Sequence, residues 1–138
     1  MLFIPSELKF KKQQKGKSFR RINKNIDLFQ LKYGSIGLKA LSHGRLSSKE
    51  IKTARQVVNK ILKKKGFFKI NVFPQTPVTK KPLEIRMGKG KGNVNSWVFK
   101  ARPGMILIEI QTEFQSLALK ALKLVQIRLS LSTKVIFM

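Results

Sequence analysis

Cysteine is absent from this chain of 138 residues, and histidine occurs once. Without cysteine the protein can form no disulfide, no thiolate metal site and no cysteine nucleophile. The 6 acidic residues are scattered at spacings that match no metal-ligand motif, even when His43 is added to them. The sequence therefore predicts no metal, no cofactor and no catalytic residue, and we expect that the protein is not an enzyme.

Long apolar runs are also missing. No run approaches the roughly 20 residues that a helix needs to span a bilayer. The start of the chain, MLFIPSELKF, lacks the basic segment followed by an apolar segment that is typical of a signal peptide. We expect a soluble protein that is not secreted and has no membrane partner.

Positive charge is what the sequence has in excess. Lys and Arg number 30 against 6 Asp and Glu, so the formal net charge is +24. Hydrophobic residues make up 42% of the chain, which is enough for a folded core and excludes a wholly disordered basic tail. A protein with this charge repels itself unless a polyanion neutralises it, and the balance therefore favours nucleic acid as the partner.

The excess charge is concentrated near the N-terminus. Eight basic residues and no acidic one lie between Leu8 and Lys24. Such a segment cannot bury enough apolar surface to offset the entropy of folding. The prediction is a basic, extended arm over residues 1–28, followed by a single domain over residues 29–138.

The clearest local signal is the start of a helix at Leu46-Ser47-Ser48-Lys49-Glu50-Ile51. Ser47 and Glu50 have the spacing of a capping box, and Leu46 with Ile51 has that of a hydrophobic staple. Apolar residues then recur at intervals of three and four, which places them on one face of the helix, while lysines and Arg55 flank it. Gly66 is the predicted C-cap of this amphipathic, basic helix.

The rest of the pattern predicts an α+β fold. Strands are expected over 30–41, 67–73, 83–87, 94–101, 105–110 and 133–137, and a second helix runs to about Ser130 from a capping box at Thr112 and Gln115. Three prolines in 74–82 predict an irregular connection. Runs of strands with two helices indicate a two-layer sandwich with a mainly antiparallel sheet.

The segment from Gly88 to Gly92, GKGKG, is the motif most open to a chemical interpretation. A dinucleotide fingerprint requires glycine or alanine at the position of Asn93, and a P-loop requires Ser or Thr after a lysine, so both fail. A plain turn needs fewer glycines and no lysines. Exposed backbone N–H groups beside Arg86, Lys89 and Lys91 suit a phosphate backbone, and we favour contact with nucleic acid. His43 is predicted on a surface turn, and Trp97 in the core.

Taken together, YGSIGLKAL, GRLSSKEIKTAR and VFPQTPVTKKPLEIRMGKGKGNVNSWV resemble the large-subunit ribosomal protein family numbered sixteen in bacteria and organelles. The similarity in order and spacing covers nearly the whole chain. The resemblance implies an α+β fold, binding to large-subunit rRNA near the aminoacyl-tRNA site, help in positioning tRNA there, and contacts with neighbouring ribosomal proteins.

The resemblance also implies roles for residues at matching positions. Those expected to bind rRNA lie in the arm, before the first helix and on it: Lys9, Lys11, Lys12, Lys15, Lys17, Arg20, Arg21, Arg45, Lys49, Lys52, Arg55, Lys63 and Lys64. The loop expected at the tRNA site comprises Arg86, Met87, Gly88, Lys89, Gly90, Lys91 and Gly92. The chain departs from the family at Asn71, where members often have an arginine. Its first helix is rich in lysine where members are rich in arginine, and lysine lacks the bidentate fork of the arginine side chain.

The abundance of Phe, Ile and Lys and the C-terminal LSLSTKVIFM resemble mitochondrial members of the family. The N-terminus lacks an Arg-rich presequence, and the two observations agree if the protein is synthesised inside the organelle. We expect the mitochondrial matrix, with a plastid or the bacterial cytoplasm as alternatives. A free RNA-binding regulator or RNA chaperone is the alternative function, because it would share the charge and the lack of catalytic residues.

Overall fold

The computed structural model describes residues 4–6, 8–14 and 29–138. Its strands are β1 (Ile36–Ala40), β2 (Gly44–Ser47), β3 (Phe67–Ile70), β4 (Thr76–Lys80), β5 (Asn93–Ala101), β6 (Ile106–Gln111) and β7 (Thr133–Phe137), and its helices are α1 (Ser48–Leu62) and α2 (Gln115–Arg128). The predicted α+β class is confirmed. The boundary between arm and domain stays a prediction, since residues 15–28 lie outside the described part.

The strands form two antiparallel sheets. The four-stranded sheet has the order β3-β6-β1-β7, and the three-stranded sheet has the order β2-β5-β4. β1 leads directly into β2, so the chain passes from one sheet to the other at this point. The arrangement places β1 and β6 in the centre of the four-stranded sheet, as the almost continuously apolar sequence of β6 predicts.

The core lies between the four-stranded sheet and the two helices. α1 contributes four buried side chains at helical spacing, namely Ile51, Ala54, Val58 and Leu62, and α2 contributes Ala118, Ala121, Leu122 and Val125. The two helices pack against each other, and α2 also packs on β1 and β7. The apolar faces predicted from the sequence are therefore confirmed at these positions.

The start of α1 is confirmed in detail, but its end is not. The Ser47 side chain accepts from the Glu50 N–H, and the Glu50 carboxylate accepts from the Ser47 N–H at 2.6 Å. The predicted C-cap at Gly66 is wrong, because Lys63 is the C-cap and has a left-handed φ of 43°. Gly66 has a different role: a Cβ there would lie 2.7 Å from the Gln111 carbonyl oxygen.

The prediction for residues 74–87 is wrong in both halves. The proline-rich stretch contains β4, which tolerates Pro77 because β4 is an edge strand of the three-stranded sheet. The alternating segment 83–87 forms no strand and is exposed throughout, with Leu83 98% exposed. Alternation alone did not separate a strand from a loop here, since a strand also needs a neighbour.

Three smaller predictions are corrected as well. β2 occupies part of the expected surface turn after Ser42, and β1 and β3 are shorter than predicted. The second capping box is absent: the N-cap of α2 is Phe114, and no side chain caps it. The Thr112 hydroxyl instead donates to the Lys65 carbonyl at 2.6 Å, which ties the start of α2 to the turn after α1.

Candidate nucleic-acid interface

The loop between β4 and β5 stands away from the body of the protein. Met87 at its tip is 100% exposed, and Gly88 and Gly90 adopt φ values of +97° and +87°. These values favour glycine, and a Cβ at either position would meet no atom within 4 Å. Gly88 and Gly90 therefore shape the loop without packing against the rest of the chain, while the Gly88 carbonyl oxygen accepts from the Lys81 ammonium within the loop.

Part of the predicted arm reaches the base of this loop. The Lys12 ammonium donates to the Lys91 carbonyl oxygen at 3.0 Å, and the Lys91 ammonium donates in return to the carbonyl oxygen of Gln13. Two like charges are thus held on the same small surface. Residues that lie 79 positions apart in the chain, and that the sequence assigned to separate sites, form one positive surface.

A cavity of about 320 Å³ opens beside this contact, and we call it the basic cavity. Its lining includes Arg45 of β2, Lys100 of β5 and Lys91 of the loop, together with Gln13 and Gln14 of the arm. Residues 76–79 of β4 and Val98 complete it and supply apolar surface. Among the residues that the structure describes, the lining contains three cations and no acidic residue.

Within the basic cavity, two cations face each other across a strand pair. Arg45 and Lys100 are direct partners in the antiparallel register of β2 and β5, so their side chains project from the same face of the sheet. Like charges directly opposite each other destabilise a sheet. The pair therefore concentrates positive charge on one face of the three-stranded sheet.

The basic residues of α1 are spread along the helix. Lys49 and Lys52 lie in the first turns, next in the chain to Arg45, whereas Lys63 and Lys64 follow the last turn, about 20 Å away for a helix of 15 residues. All four are exposed, and Arg55 is half-buried. Lys49 and Lys52 thus follow β2, which contributes Arg45 to the basic cavity, whereas Lys63 and Lys64 lie at the other end of the helix.

Apart from those of α1 and the turn after it, the predicted site residues fall into three groups. Arg45 and Lys91 line the basic cavity and Lys12 contacts Lys91 beside it, while Lys9 and Lys11 are exposed on the same described part of the arm and Arg86 and Lys89 on the loop. Lys15, Lys17, Arg20 and Arg21 lie outside the described residues. Sequence reasoning missed Lys100, whose position opposite Arg45 depends on strand register, a feature of the folded chain.

A buried carboxylate holds the backbone of residues 32–34 against β6. Glu109 of β6 is 1% exposed, and its Oε2 accepts from the backbone N–H groups of Lys32, Tyr33 and Gly34 at 3.0, 2.7 and 3.2 Å. Its other oxygen accepts from the Asn71 amide. Burial raises the pKa of Glu109, but these hydrogen bonds outweigh it and lower the pKa below its usual value.

Glu50 is held in the same manner at the start of α1. Besides its bonds to Ser47, its carboxylate accepts from the Ser130 N–H at 3.2 Å. Burial raises the pKa of Glu50, and the hydrogen bonds from Ser47 and Ser130 bring it below the usual value. Two of the few acidic residues are thus directed toward backbone N–H groups inside the fold.

Two further observations concern the described residues alone. Across 4–6, 8–14 and 29–138, no three His, Asp or Glu side chains come together in a way that could hold a metal ion. In the same ranges, neither helix has the length and apolar character needed to cross a membrane.

The α+β fold and the cationic surface that joins arm, sheet and loop are typical of a nucleic-acid-binding protein. Residues 5–136 match the family described as ribosomal protein L16p/L10e, and the chain belongs to that family. The resemblance inferred from the sequence motifs is confirmed.

Three curated bacterial relatives are similar over almost their full length, and each bears the name large ribosomal subunit protein uL16. The protein of Wigglesworthia glossinidia brevipalpis is 44% identical over 129 residues, 94% of this chain and 92% of the relative. That of Blochmanniella pennsylvanica (strain BPEN) is 44% identical over 137 residues, with 99% and 98% covered. That of Dichelobacter nodosus (strain VCS1703A) is 43% identical over 129 residues, with 94% and 92% covered.

Proposed function

We propose that this protein is a structural constituent of the large ribosomal subunit, where it binds large-subunit rRNA and helps to position tRNA at the aminoacyl site. The observation that carries the rRNA part is the pairing of Arg45 with Lys100 beside Lys91 in the basic cavity. Three cations around a cavity without an acid are suited to phosphate, and the relatives are named for the same subunit. The role is structural and includes no catalytic step.

The tRNA part of the proposal rests on the β4–β5 loop. Its tip is exposed, and Arg86 and Lys89 place positive charge on either side of Gly88. The arm contacts the loop at Lys91, near its base, and the exposed tip can therefore contact a second molecule while the basic cavity holds rRNA. Neighbouring ribosomal proteins would complete its surroundings.

The compartment we propose is the mitochondrial matrix, in the mitochondrial ribosome. The abundance of Phe, Ile and Lys and the sequence LSLSTKVIFM support it. A plastid or the bacterial cytoplasm remains the alternative. Mass spectrometry of ribosomes purified from each compartment of the source cell distinguishes these locations.

The experiment that tests the tRNA role removes two charges from the loop tip, in the double variant Arg86→Ala and Lys89→Ala. Neither side chain is buried, so folding should be unchanged. Large subunits should incorporate the variant at the wild-type level, yet bind aminoacyl-tRNA more weakly. The defect should shrink as the salt concentration rises, because salt weakens the electrostatic contacts that the variant lacks. Filter binding of labelled aminoacyl-tRNA to purified subunits measures it.

The matched control replaces two exposed lysines of α2, Lys120 and Lys123, by alanine. It removes the same charge from a region outside the predicted sites, and tRNA binding should stay at the wild-type level. Normal incorporation with unchanged tRNA binding in the loop variant would contradict the tRNA role. Equal loss in both variants would mean that only total charge matters.

A further inference from the structure

A second, larger cavity of about 790 Å³ opens where β1 begins and β6 ends, and it shares no lining residue with the basic cavity. We call it the aromatic cleft. Tyr33 and Phe114 line it and are 51% and 49% exposed. Lys32, Lys65 and the C-terminal Met138 lie around them. No site predicted from the sequence includes this region.

Both aromatic residues are held in place by hydrogen bonds that their backbone N–H groups donate to other residues. The Tyr33 N–H donates to the buried Glu109 carboxylate at 2.7 Å, and the bonds from Lys32 and Gly34 fix the residues on either side. The Phe114 N–H donates to the Thr112 hydroxyl at 3.2 Å. The positions of the two rings thus depend on specific backbone hydrogen bonds, although about half of each side chain is exposed to solvent.

Each ring also has a lysine against it. The Lys69 ammonium lies 3.2 Å from the centroid of the Tyr33 ring, and the Lys65 ammonium lies 5.5 Å from that of Phe114. These are cation–π distances. In the described part of the chain, Glu113 is the one acidic residue that lines the cleft, so its surface combines flat apolar rings with an excess of positive charge.

This exposure runs against what the sequence alone favours. The apolar pattern of α2 predicts an inward Phe114, and a buried ring would remove its large apolar area from water. The fold instead directs Phe114 toward Tyr33 and the lysines. An aromatic ring that is anchored yet half exposed is most useful where another flat, apolar group can stack on it.

We propose that the aromatic cleft binds unpaired bases of RNA, stacked on Tyr33 and Phe114, while Lys32, Lys65 and Lys69 meet the adjoining phosphates. The inference rests on the proposed rRNA binding, and it adds a site that binds single-stranded RNA. Unpaired RNA is recognised by aromatic side chains that stack on its bases together with cations along its backbone. A short acidic peptide would meet the same cations but would not need two half-exposed rings.

The test compares binding of the full-length protein to a short single-stranded RNA and to the same RNA annealed to its complement. The variant replaces Tyr33 and Phe114 by leucine, which keeps apolar bulk and charge but removes both rings. Loss of base stacking should weaken single-strand binding by about 5- to 150-fold per base. The slope of affinity with salt should not change, since no cation is lost, and duplex binding should be unaffected.

Two control variants accompany the double leucine variant. Tyr33→Phe keeps the ring and should bind like wild type. Phe73→Leu removes an exposed ring that lies outside the cleft and should also bind like wild type. Thermal unfolding of every variant checks that the fold is intact.

A measurement on the unmodified protein makes the test independent of any variant. Tyr33 is the single tyrosine of the chain, so selective labelling of tyrosine gives NMR ring signals from this residue alone. Stacking of a base should shift these signals upfield when single-stranded RNA is added, and the duplex should leave them in place.

The outcomes separate this inference from the proposed function. If wild type binds RNA with strong salt dependence but the leucine variant binds equally well and the tyrosine signals stay fixed, the cleft binds no bases and the proposed function stands. If the variant binds RNA normally but is poorly retained in large subunits, a protein segment occupies the cleft, which also overturns the inference. If wild type binds no RNA, both proposals fail.

Discussion

At the scale of single residues, Glu109 links the interior of the four-stranded sheet to the surface. Its carboxylate is buried, yet it is satisfied by three consecutive backbone N–H groups and by Asn71. The pKa of Glu109 is lower in the folded protein than its usual value of 4.5, so the ionised carboxylate stabilises the fold at pH values above 4.5. That contribution is lost as the pH falls through the lowered pKa.

We therefore predict that Glu109→Gln lowers the free energy of unfolding by roughly 1 to 3 kcal/mol at neutral pH, because charge-assisted hydrogen bonds become neutral ones. Glutamine keeps one acceptor for the N–H groups, and Asn71 can turn its amide to accept from the new NH₂. Glu109→Leu leaves all of these donors unpaired and should cost more than about 3 kcal/mol. Urea unfolding measures both.

The pH dependence is the sharper part of this prediction. As the pH falls below about 4.5, the unfolded state binds the proton first, and the stability of wild type should decline until, below the lowered pKa of Glu109, it approaches that of Glu109→Gln. Glu84→Gln, in the exposed loop, is the control and should follow wild type at every pH. A constant difference between wild type and Glu109→Gln down to pH 2 would mean that Glu109 does not titrate in this way.

At the scale of elements, α1 combines a structural face with a charged one. Leu62→Ala should lower the free energy of unfolding by about 2 to 5 kcal/mol, because Leu62 is fully buried and alanine leaves a cavity. Lys60→Ala, two residues earlier and exposed, should change it by less than about 0.5 kcal/mol. Similar losses in the two variants, measured by urea unfolding, would show that the inward face is misassigned.

The elements predicted correctly from the sequence are those whose signals are local. The capping box at Ser47 and Glu50, the apolar face of α1 and the apolar run of β6 depend on neighbours along the chain, and all three are present. β4 was missed because prolines usually interrupt strands. Pro77 is tolerated only because the finished sheet places β4 at an edge.

The candidate site was predictable in its composition and not in its assembly. The charges of the arm, of Arg45 and of the loop are evident in the sequence. Their meeting at one cavity depends on the pairing of β2 with β5 and on the contact between Lys12 and Lys91. The aromatic cleft depends on Glu109 and Thr112 bonding to segments far away in the chain, which no local pattern indicates.

At the scale of the whole molecule, the net charge of +24 dominates. If 6 to 10 cations neutralise phosphates, affinity for rRNA should fall by roughly 10³ to 10⁵ between 50 and 200 mM salt. Replacing Arg45 and Lys100 by alanine should make the slope of log affinity against log salt shallower by about 1.4 to 1.8, as expected for two lost phosphate contacts. Titrations over a salt series measure this slope.

The same double variant should remain folded. Replacing Arg45 and Lys100 relieves their repulsion across the strand pair, which is a term of about 0.2 to 1 kcal/mol, and thermal unfolding should still show one cooperative transition. The variant with Lys120 and Lys123 replaced is again the control, and its slope should equal that of wild type. A cavity variant that keeps the full slope would exclude these two residues from phosphate binding.

The position of β1 has a consequence for the synthesis of the chain. β1 is the first strand to leave the ribosome, but both of its hydrogen-bonding partners, β6 and β7, belong to the last third of the sequence. At ordinary elongation rates, roughly 5 to 20 s separate the appearance of β1 from that of β7. During this interval the apolar side chains of β1 have no sheet to join, while a cationic nascent segment is already exposed to RNA. Synthesis from the N-terminus therefore exposes the basic N-terminal segment first and β7, the strand that completes the four-stranded sheet, last.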